Sequence, residues 1–229
     1  MGERDHTGLL IDVDGTLTDT EALHFATWRQ AFRESGAAFA EADFERLVGL
    51  DPIPTVTTHL NCTRHRAVEI AGRKAEIFRE RISDIKAFPG AAALLSEARQ
   101  RGFLIALISS TSRADVENYL LPCIGPRSIV DLVVTAEMVP HGKPHPDTLN
   151  LAMETLGIAP ERALTAGDTI FDVAAGRKAG VTVVGVSANA TRAKLLQAAG
   201  AHHVARDLQE LRRFVSEWTL HLSNLVAGF

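Results

Sequence analysis

A chain of 229 residues with 46% hydrophobic and 23% charged residues can bury a full core and has the composition of a globular protein. The net charge of −4, with Lys and Arg scattered along the chain, argues against nucleic-acid binding. No apolar run approaches the ~18 residues that span a membrane, and the N-terminal MGERDH lacks the apolar part of a signal peptide. Cys62 and Cys123 lie outside any metal-binding spacing, as expected for reduced thiols, so we expect a cytoplasmic protein.

Five short runs rich in Val, Ile and Leu predict the strands of an α/β protein. The runs do not alternate with polar residues, which is typical of a parallel sheet covered on both faces. They lie at residues 8–11, 103–108, 129–134, 163–166 and 181–186, the fourth being the weakest. Helical patterns occur at residues 91–101, 113–121, 146–156 and 171–179. This alternation favours right-handed βαβ units and therefore a Rossmann-like, doubly wound parallel sheet.

The interval between the first two runs is too long for one crossover helix. Residues 21–35 and 66–82 carry apolar side chains at helical spacing, whereas Pro52 and Pro54 are expected to break the middle. The interval therefore predicts a small, all-helical insertion after the first strand.

Two domains follow from this division. We predict an α/β core formed by residues 1–18 and 87–229, and a helical cap formed by residues 19–86. The cap leaves the core at the carboxyl end of the first strand, which is the edge where open α/β sheets bind ligands. We therefore expect the cap to act as a lid over a binding site.

Three carboxylates stand close together in the segment LLIDVDGTLTDT, at Asp12, Asp14 and Asp19. Such crowding is repulsive, so either the turn is merely polar or a positive charge lies among the acids. We expect Asp19 to cap the first helix of the cap. Asp12 and Asp14 then remain directly after the first strand.

Polar side chains also follow the other predicted strands. They are Ser109 and Ser110 after the second, Lys143 downstream of the third, and Asp168 and Asp172 after the fourth. Because the carboxyl ends of parallel strands meet at one edge, these side chains should converge with the acidic turn. Carboxylates select a hard cation, and we expect Mg²⁺; a metal, a hydroxyl and an ammonium together bind phosphate.

Four segments, IDVDGTL, ISS, GKPHPD and GDTIFD, resemble in this order the four motifs of the haloacid dehalogenase superfamily. The resemblance extends to its phosphoglycolate phosphatase and β-phosphoglucomutase-like members, which carry a small helical cap, and it covers about residues 8–186. It implies a Mg²⁺-dependent phosphohydrolase that acts on a small phosphorylated metabolite.

By this resemblance, Asp12 is the nucleophile that forms an aspartyl-phosphate. Asp14 is the general acid and then the base, and because it must carry a proton for part of the cycle we expect its pKa to be raised. Ser109 would hydrogen-bond the transferring phosphoryl group, and Lys143 would neutralise Asp12 and the phosphate oxygens. The implied metal ligands are Asp12, Asp14 through its backbone carbonyl, Asp168, and Asp172 as a ligand or as its support.

Further candidates for substrate binding are Thr16, His24, Gly49, Lys74 and Ser110. His24 should lie on the first turn of the first cap helix, near the cleft, although a surface histidine is the alternative. Lys74 and Ser110 have equally simple alternatives, as a solvated helix lysine and as a helix cap. We assign no metal-binding role to the other histidines considered, which are His141, His145, His202 and His203.

Three functions remain open. Asp14 disfavours dehalogenase and phosphonatase chemistry, and a phosphatase is favoured. The stretch DTEALHFATW and Lys74 resemble a β-phosphoglucomutase, but Asp51 follows Leu-Val-Gly where those mutases carry a basic residue. A non-catalytic binding module is disfavoured because Asp12, Asp14 and Lys143 are all present.

Residues 46–55 carry few charges, which suggests a substrate with one phosphate and an otherwise neutral body. We expect no nucleic-acid or membrane partner. The sequence leaves a monomer and a homodimer equally open.

Overall fold

A parallel sheet forms the centre of the core. The computed structural model describes residues 6–226, and in the last helix it describes side chains as far as residue 218. Six strands occur within these residues: β1 (His6–Asp12), β2 (Leu104–Ser109), β3 (Leu132–Thr135), β4 (Ile158–Gly167), β5 (Thr182–Val186) and β6 (His203–Ala205). They pair in parallel in the order β3-β2-β1-β4-β5-β6. The predicted α/β fold with a parallel sheet is therefore confirmed.

Helices connect the strands and fill the long first interval. Between β1 and β2 they are α1 (Glu21–Glu34), α2 (Glu41–Leu47), α3 (Pro52–Leu60), α4 (Arg64–Arg79) and α5 (Ala91–Gln100). After β2, α6 (Arg113–Asp115) continues through a π-helical turn (Val116–Leu120) into α7 (Leu121–Ile124). The later helices are α8 (Asp147–Leu156), α9 (Ile170–Ala179), α10 (Ala190–Ala198) and α11 (Leu208–Val226). Of these elements, α2, α3, β6, α10 and α11 were not predicted.

Successive residues of β1 supply two different hydrophobic cores. Leu9 and Ile11 are fully buried on one face of the sheet, in a cluster that includes side chains of α5 and α11. Leu10, also fully buried, belongs to a second cluster with side chains of α8 and α9. Because a strand alternates its side chains, an unbroken apolar run is what a sheet covered on both faces requires.

The cap has its own hydrophobic core. Its members include Trp28, Phe32 and Ile70, which pack with further aromatic and aliphatic side chains of α1 to α4. The break expected at Pro52 and Pro54 falls just before them, because α2 ends at Leu47 and α3 begins at Pro52. The first turn of a helix leaves its N–H groups without partners in the helix, so prolines there cost no hydrogen bond.

Two paired linkers join the cap to the core. The N–H of Asp19 donates to the carbonyl of Lys86 at 2.9 Å, and the N–H of Phe88 donates to the carbonyl of Leu17 at 2.9 Å. Thr20 occupies the N-cap position of α1 and Asp19 is exposed, so the expected capping role of Asp19 is wrong. The segments that enter and leave α1 to α4 thus run side by side beyond β1.

We keep the name cap for residues 19–86, as the sequence predicts. Residues 1–5 and 227–229 of the predicted core lie outside the described residues. Cys62 and Cys123 are free thiols. Among the described helices, none combines the length and hydropathy needed to cross a membrane.

Candidate active site

Lys143 lies between two carboxylates at the carboxyl edge of the sheet. Its ammonium contacts Asp12, the last residue of β1, and lies 2.6 Å from Oδ1 of Asp172 on α9. All three side chains are buried. Burial alone disfavours the charged ammonium, but the carboxylates of Asp12 and Asp172 outweigh it and raise the pKa of Lys143 above its ordinary value. The cluster therefore holds a permanent positive charge against Asp12.

Asp12, Asp168 and Asp172 form a buried acidic group. Carboxylate oxygens of the three residues lie within 4.8 Å of one another. Burial raises the pKa of Asp12, and the carboxylates of Asp172 and Asp168 add to this rise while Lys143 opposes it. Burial and the carboxylate of Asp172 likewise raise the pKa of Asp168 to about 7. Three carboxylates around one ammonium leave a net negative charge, which a hard divalent cation would neutralise. Carboxylate oxygens are ligands that Mg²⁺ prefers, so these residues fit Mg²⁺.

Asp172 has two partners besides any metal. Its Oδ2 accepts hydrogen bonds from the N–H of Thr169, at 3.0 Å, and from the Thr169 hydroxyl. Thr169 in turn caps the N-terminus of α9 by accepting from the N–H of Asp172. Because Oδ1 of Asp172 contacts the ammonium of Lys143, the carboxylate of Asp172 is placed to hold the lysine in position.

Asp14 is held by two hydrogen bonds. Ser109 Oγ donates to Oδ2 of Asp14 at 2.9 Å, and His24 Nε2 lies 2.9 Å from Oδ1. Burial alone would raise the pKa of Asp14, but His24 and Ser109 outweigh it and hold the pKa well below its ordinary value. The expectation of a raised pKa is therefore wrong in this conformation, because donors from the cap and from β2 stabilise the carboxylate.

His24 connects Asp14 to a buried lysine of the cap. Lys74 Nζ lies 2.8 Å from Nδ1 of His24, and it also sits over the ring of Phe78 at 4.4 Å from the centroid. An ammonium can only donate, so Nδ1 accepts and Nε2 carries the hydrogen that is directed at Asp14. Burial and Lys74 lower the pKa of His24, which agrees with a neutral imidazole. Burial also lowers the pKa of Lys74, to about 8.

Three other predicted substrate-binding residues contact the protein itself. The Thr16 hydroxyl, 1% exposed, donates to Oδ1 of Asp168 at 3.1 Å, so Thr16 supports Asp168 in this structure. Ser110 Oγ donates to Oδ1 of Asp51 at 2.7 Å. Gly49 approaches Thr169 so closely that a Cβ would lie 2.5 Å from the threonine hydroxyl.

The cleft between cap and core has an apolar cap side. Its lining on that side includes Trp28, Phe39, Phe44, Leu47, Val48, Leu50 and Pro52. Charged groups of the core, among them Asp12, Lys143 and Asp168, line the opposite side. Glu21, His24 and Lys74 also line the cleft from the cap. Glu21 is paired with Arg192, and the ammonium of Lys74 is directed at His24. The cleft thus combines a charged end with an apolar body.

Arg192 of α10 was missed by the sequence analysis. It makes two hydrogen bonds to Glu21 of the cap, at 2.7 and 2.6 Å, and its Nη1 lies 3.6 Å from Oδ2 of Asp168. No motif surrounds Arg192, so only the folded arrangement relates it to the site. Asp51 was noted only as a departure from the mutase pattern, and its contact with Ser110 was not foreseen.

His141, His145 and Asp147 form a separate, more exposed group. Their ligand-type atoms lie within 4.8 Å of one another, and His141 Nδ1 lies 3.1 Å from Asp147 Oδ2. The sequence spacing gave no indication of this proximity. A turn places the two histidines together, since the N–H of His145 donates to the carbonyl of Gly142 at 2.9 Å.

The parallel sheet, the helical cap and the buried carboxylate–lysine cluster together define a capped α/β enzyme. The sequence matches the haloacid dehalogenase-like hydrolases over residues 9–186, and the chain belongs to this family.

Relatives with different named activities match most of the chain. The fructose-1-phosphate phosphatase YqaB of Escherichia coli (strain K12) is 30% identical, over 81% of this chain and 98% of its own length. A β-phosphoglucomutase of Mycobacterium tuberculosis is also 30% identical, over 88% of this chain and 90% of its own. The crystal structure of a hydrolase from Pseudomonas syringae superposes with a TM-score of 0.85, at 25% identity, over 93% of this chain and 99% of its own.

Proposed function

We propose that the protein is a Mg²⁺-dependent phosphatase that hydrolyses a small phosphorylated metabolite through an aspartyl-phosphate. The observation that carries the proposal is the buried contact of Lys143 with Asp12, next to Asp168 and beside the fixed carboxylate of Asp14. A carboxylate that attacks a phosphate ester needs positive charge beside it to offset anion repulsion. Lys143 supplies one such charge, and Mg²⁺ when bound would supply the other.

In the first step, a carboxylate oxygen of Asp12 attacks phosphorus and the bond from phosphorus to the ester oxygen breaks. The leaving oxygen takes a proton from Asp14. In the second step, Asp14 takes a proton from a water that attacks phosphorus, which releases phosphate and regenerates Asp12. The low pKa of Asp14 in the present conformation corresponds to the ionised form that serves this second step.

The residues proposed to hold Mg²⁺ are Asp12, Asp168 and the backbone carbonyl of Asp14. Asp172, committed to Thr169 and Lys143, would orient the lysine and lie behind the ligands. Ser109, which donates to Asp14, would position the acid–base group as well as the phosphoryl group. His24 and Lys74 belong to the same arrangement through Asp14 and are proposed to act on it from the cap.

The apolar cap side of the cleft supports a substrate with one phosphate and an otherwise uncharged body. The named activity of the fructose-1-phosphate phosphatase relative is consistent with such a substrate. The mutase relative keeps a sugar phosphomutase as the second candidate. Asp51 favours the phosphatase, since an anion at that position offers nothing to a second phosphate. A cytoplasmic location is part of the same proposal.

The decisive experiment measures phosphate release from a panel of phosphorylated metabolites with Mg²⁺, beside conversion of β-glucose 1-phosphate to glucose 6-phosphate. We expect phosphate release by the wild type and none by Asp12→Asn. Sugar phosphate conversion without phosphate release would establish the mutase instead. Phosphate release that survives in Asp12→Asn would exclude the covalent intermediate.

A further inference from the structure

Asp51 is a cap residue whose side chain is bound by the core. It occupies the N-cap position of α3, where an aspartate ordinarily accepts hydrogen bonds from its own helix, yet its side chain makes no such bond. Pro54, at the third helical position, removes one of the N–H groups that would compete for the carboxylate. The proline-containing sequence that follows Asp51 therefore leaves its oxygens available to the core.

Two core segments bind this carboxylate. Ser110 Oγ donates to Oδ1 of Asp51 at 2.7 Å, and the backbone of Gly142 lies directly against the same carboxylate. Gly142 also provides the space, because a Cβ at that position would lie 1.8 Å from Oδ2 of Asp51. Each segment carries a residue of the proposed site next to its contact: Ser109 precedes Ser110, and Lys143 follows Gly142.

Gly49 makes a second contact from the same loop of the cap. Its φ of +94° is accessible mainly to glycine, and a Cβ there would meet the hydroxyl of Thr169, the residue that binds Asp172. The loop from Gly49 to Asp51 thus touches the core segments that follow β2, β3 and β4.

Other polar contacts between cap and core lie beside the linkers. In α1, Glu21 binds Arg192 and His24 binds Asp14. At the last residue of α4, Arg79 binds Asp115. Asp51 lies about thirty residues from either linker along the chain. If the cap turned about the linkers, the loop around Asp51 would separate from Ser110 and Gly142.

We propose that Asp51 is a positioning residue that joins the closed cap to the Ser110 and Gly142 segments and thereby orders Ser109 and Lys143 for phosphoryl transfer. This inference rests on the proposed phosphatase function for its kinetic consequence only. The contact itself is a property of the closed arrangement. An opened cap would leave both core segments without their common partner.

The kinetic test compares Asp51→Ala, Asp51→Asn and Ser110→Ala, with Asp43→Ala as the matched control. Asp43 is also a cap acid, but its partners Ala40 and Arg46 lie within the cap. We expect Asp51→Ala to lower kcat about 10- to 100-fold with a smaller change in KM, because misplacement of reacting groups acts on the chemical step. Asp51→Asn keeps an acceptor for Ser110 and should recover most of the activity. The double variant Asp51→Ala/Ser110→Ala should lose no more than Asp51→Ala alone.

Amide hydrogen exchange provides a readout that does not require activity. Asp51→Ala should speed exchange in residues 109–112 and 141–145, and Asp43→Ala should not. If the wild type releases no phosphate but exchange changes in both segments, the phosphatase proposal fails and the role of Asp51 stands. If the wild type is active while Asp51→Ala stays within about twofold of it and exchange is unchanged, the role of Asp51 is excluded. The role of Asp51 would also be excluded if the fold-loss in kcat of the double variant equalled the product of the losses of Asp51→Ala and Ser110→Ala.

Discussion

Lys74 of the cap is joined to Asp14 of the core through the two nitrogens of His24. The ammonium lies 2.8 Å from Nδ1, and Nε2 lies 2.9 Å from Asp14. The stacked ring of Phe78, 4.6 Å from the imidazole by centroid, removes water from one side of this chain of contacts. The protonation of a core carboxylate is therefore linked to the position of the cap.

The buried ammonium of Lys74 predicts a pH-dependent stability. Burial lowers the pKa of Lys74 from the ordinary 10.5 to about 8. Between pH 8 and pH 10.5, Lys74 is therefore protonated in the unfolded chain and mostly neutral in the folded protein. The contribution of Lys74 to the free energy of unfolding is therefore lowest below pH 8 and rises between pH 8 and pH 10.5. The free energy of unfolding of the wild type minus that of Lys74→Met should increase by up to about 3 kcal/mol over this range. Denaturant titrations at several pH values measure the difference, with exposed Lys86→Met as the control. A difference that stays level would contradict the prediction.

Removal of the imidazole should impair turnover more than it impairs binding. His24→Ala takes away a donor to Asp14 and leaves Lys74 without its partner. We expect kcat to fall about 10- to 100-fold, since Asp14 loses its orientation. Steady-state kinetics with a generic phosphate monoester test this. His65→Ala, an exposed histidine on α4, should leave kcat unchanged, and equal effects of the two substitutions would point to a general disturbance of the cap.

The acidic group should make the protein respond to Mg²⁺. The pKa of Asp168 is raised to about 7 from 3.8. The free energy of unfolding therefore falls as the pH rises from about 4 to 7, because ionisation of Asp168 disfavours the folded state, and above pH 7 this loss of stability is complete. Without metal at pH 7.5, Asp168→Asn should be at least as stable as the wild type. Mg²⁺ at a hundredfold excess over its Kd should stabilise the wild type by about 3 kcal/mol.

Thermal unfolding with Mg²⁺ or with a chelator measures both effects. Asp168→Asn should show no stabilisation by Mg²⁺, while exposed Asp19→Asn should behave like the wild type. A chelator should abolish wild-type phosphate release, and Mg²⁺ should restore it. An equal rise in Tm for the wild type and Asp168→Asn would place the metal elsewhere.

The ion pair of Arg79 and Asp115 should contribute to stability. Nε of Arg79 lies 2.9 and 3.2 Å from the two carboxylate oxygens of Asp115, whose side chain is 5% exposed. Arg79→Ala leaves that buried carboxylate with Ser112 as its remaining side-chain partner and should cost about 1–3 kcal/mol. Arg101→Ala removes a surface pair with Glu97 and should change little. Urea denaturation distinguishes the two, and equal losses would show that burial of Asp115 is unimportant.

The strands and the convergence of polar residues at their ends were predictable from local sequence. The run at residues 103–108 corresponds to β2 (Leu104–Ser109), because strong apolar runs are specified by burial on both faces. β4 begins at Ile158, five residues before its predicted start, since its first half contains a proline and two charged residues and is mostly only partly buried. The three residues of β6 are too few to produce a recognisable pattern.

Contacts between cap and core were not predictable in the same way. The bond of Asp51 to Ser110 and that of Glu21 to Arg192 depend on how one body lies against the other, and no periodicity encodes that placement. The pKa of Asp14 was misjudged for the same reason. The sequence shows the carboxylates close to Asp14, which would raise its pKa. It does not show that the imidazole of His24, in the cap, binds Asp14 and lowers that pKa.

The position of β1 in the middle of the sheet affects the order in which the chain can fold during synthesis. The hydroxyl of Thr165 in β4 donates to the carbonyl of Leu10 in β1, across 155 residues of chain. The cap, by contrast, is continuous in sequence and buries its aromatic residues against one another. During synthesis the cap can therefore fold before β4 is available to pair with β1. Until β4 leaves the ribosome, the unpaired edge of that apolar strand is open to pairing with other chains.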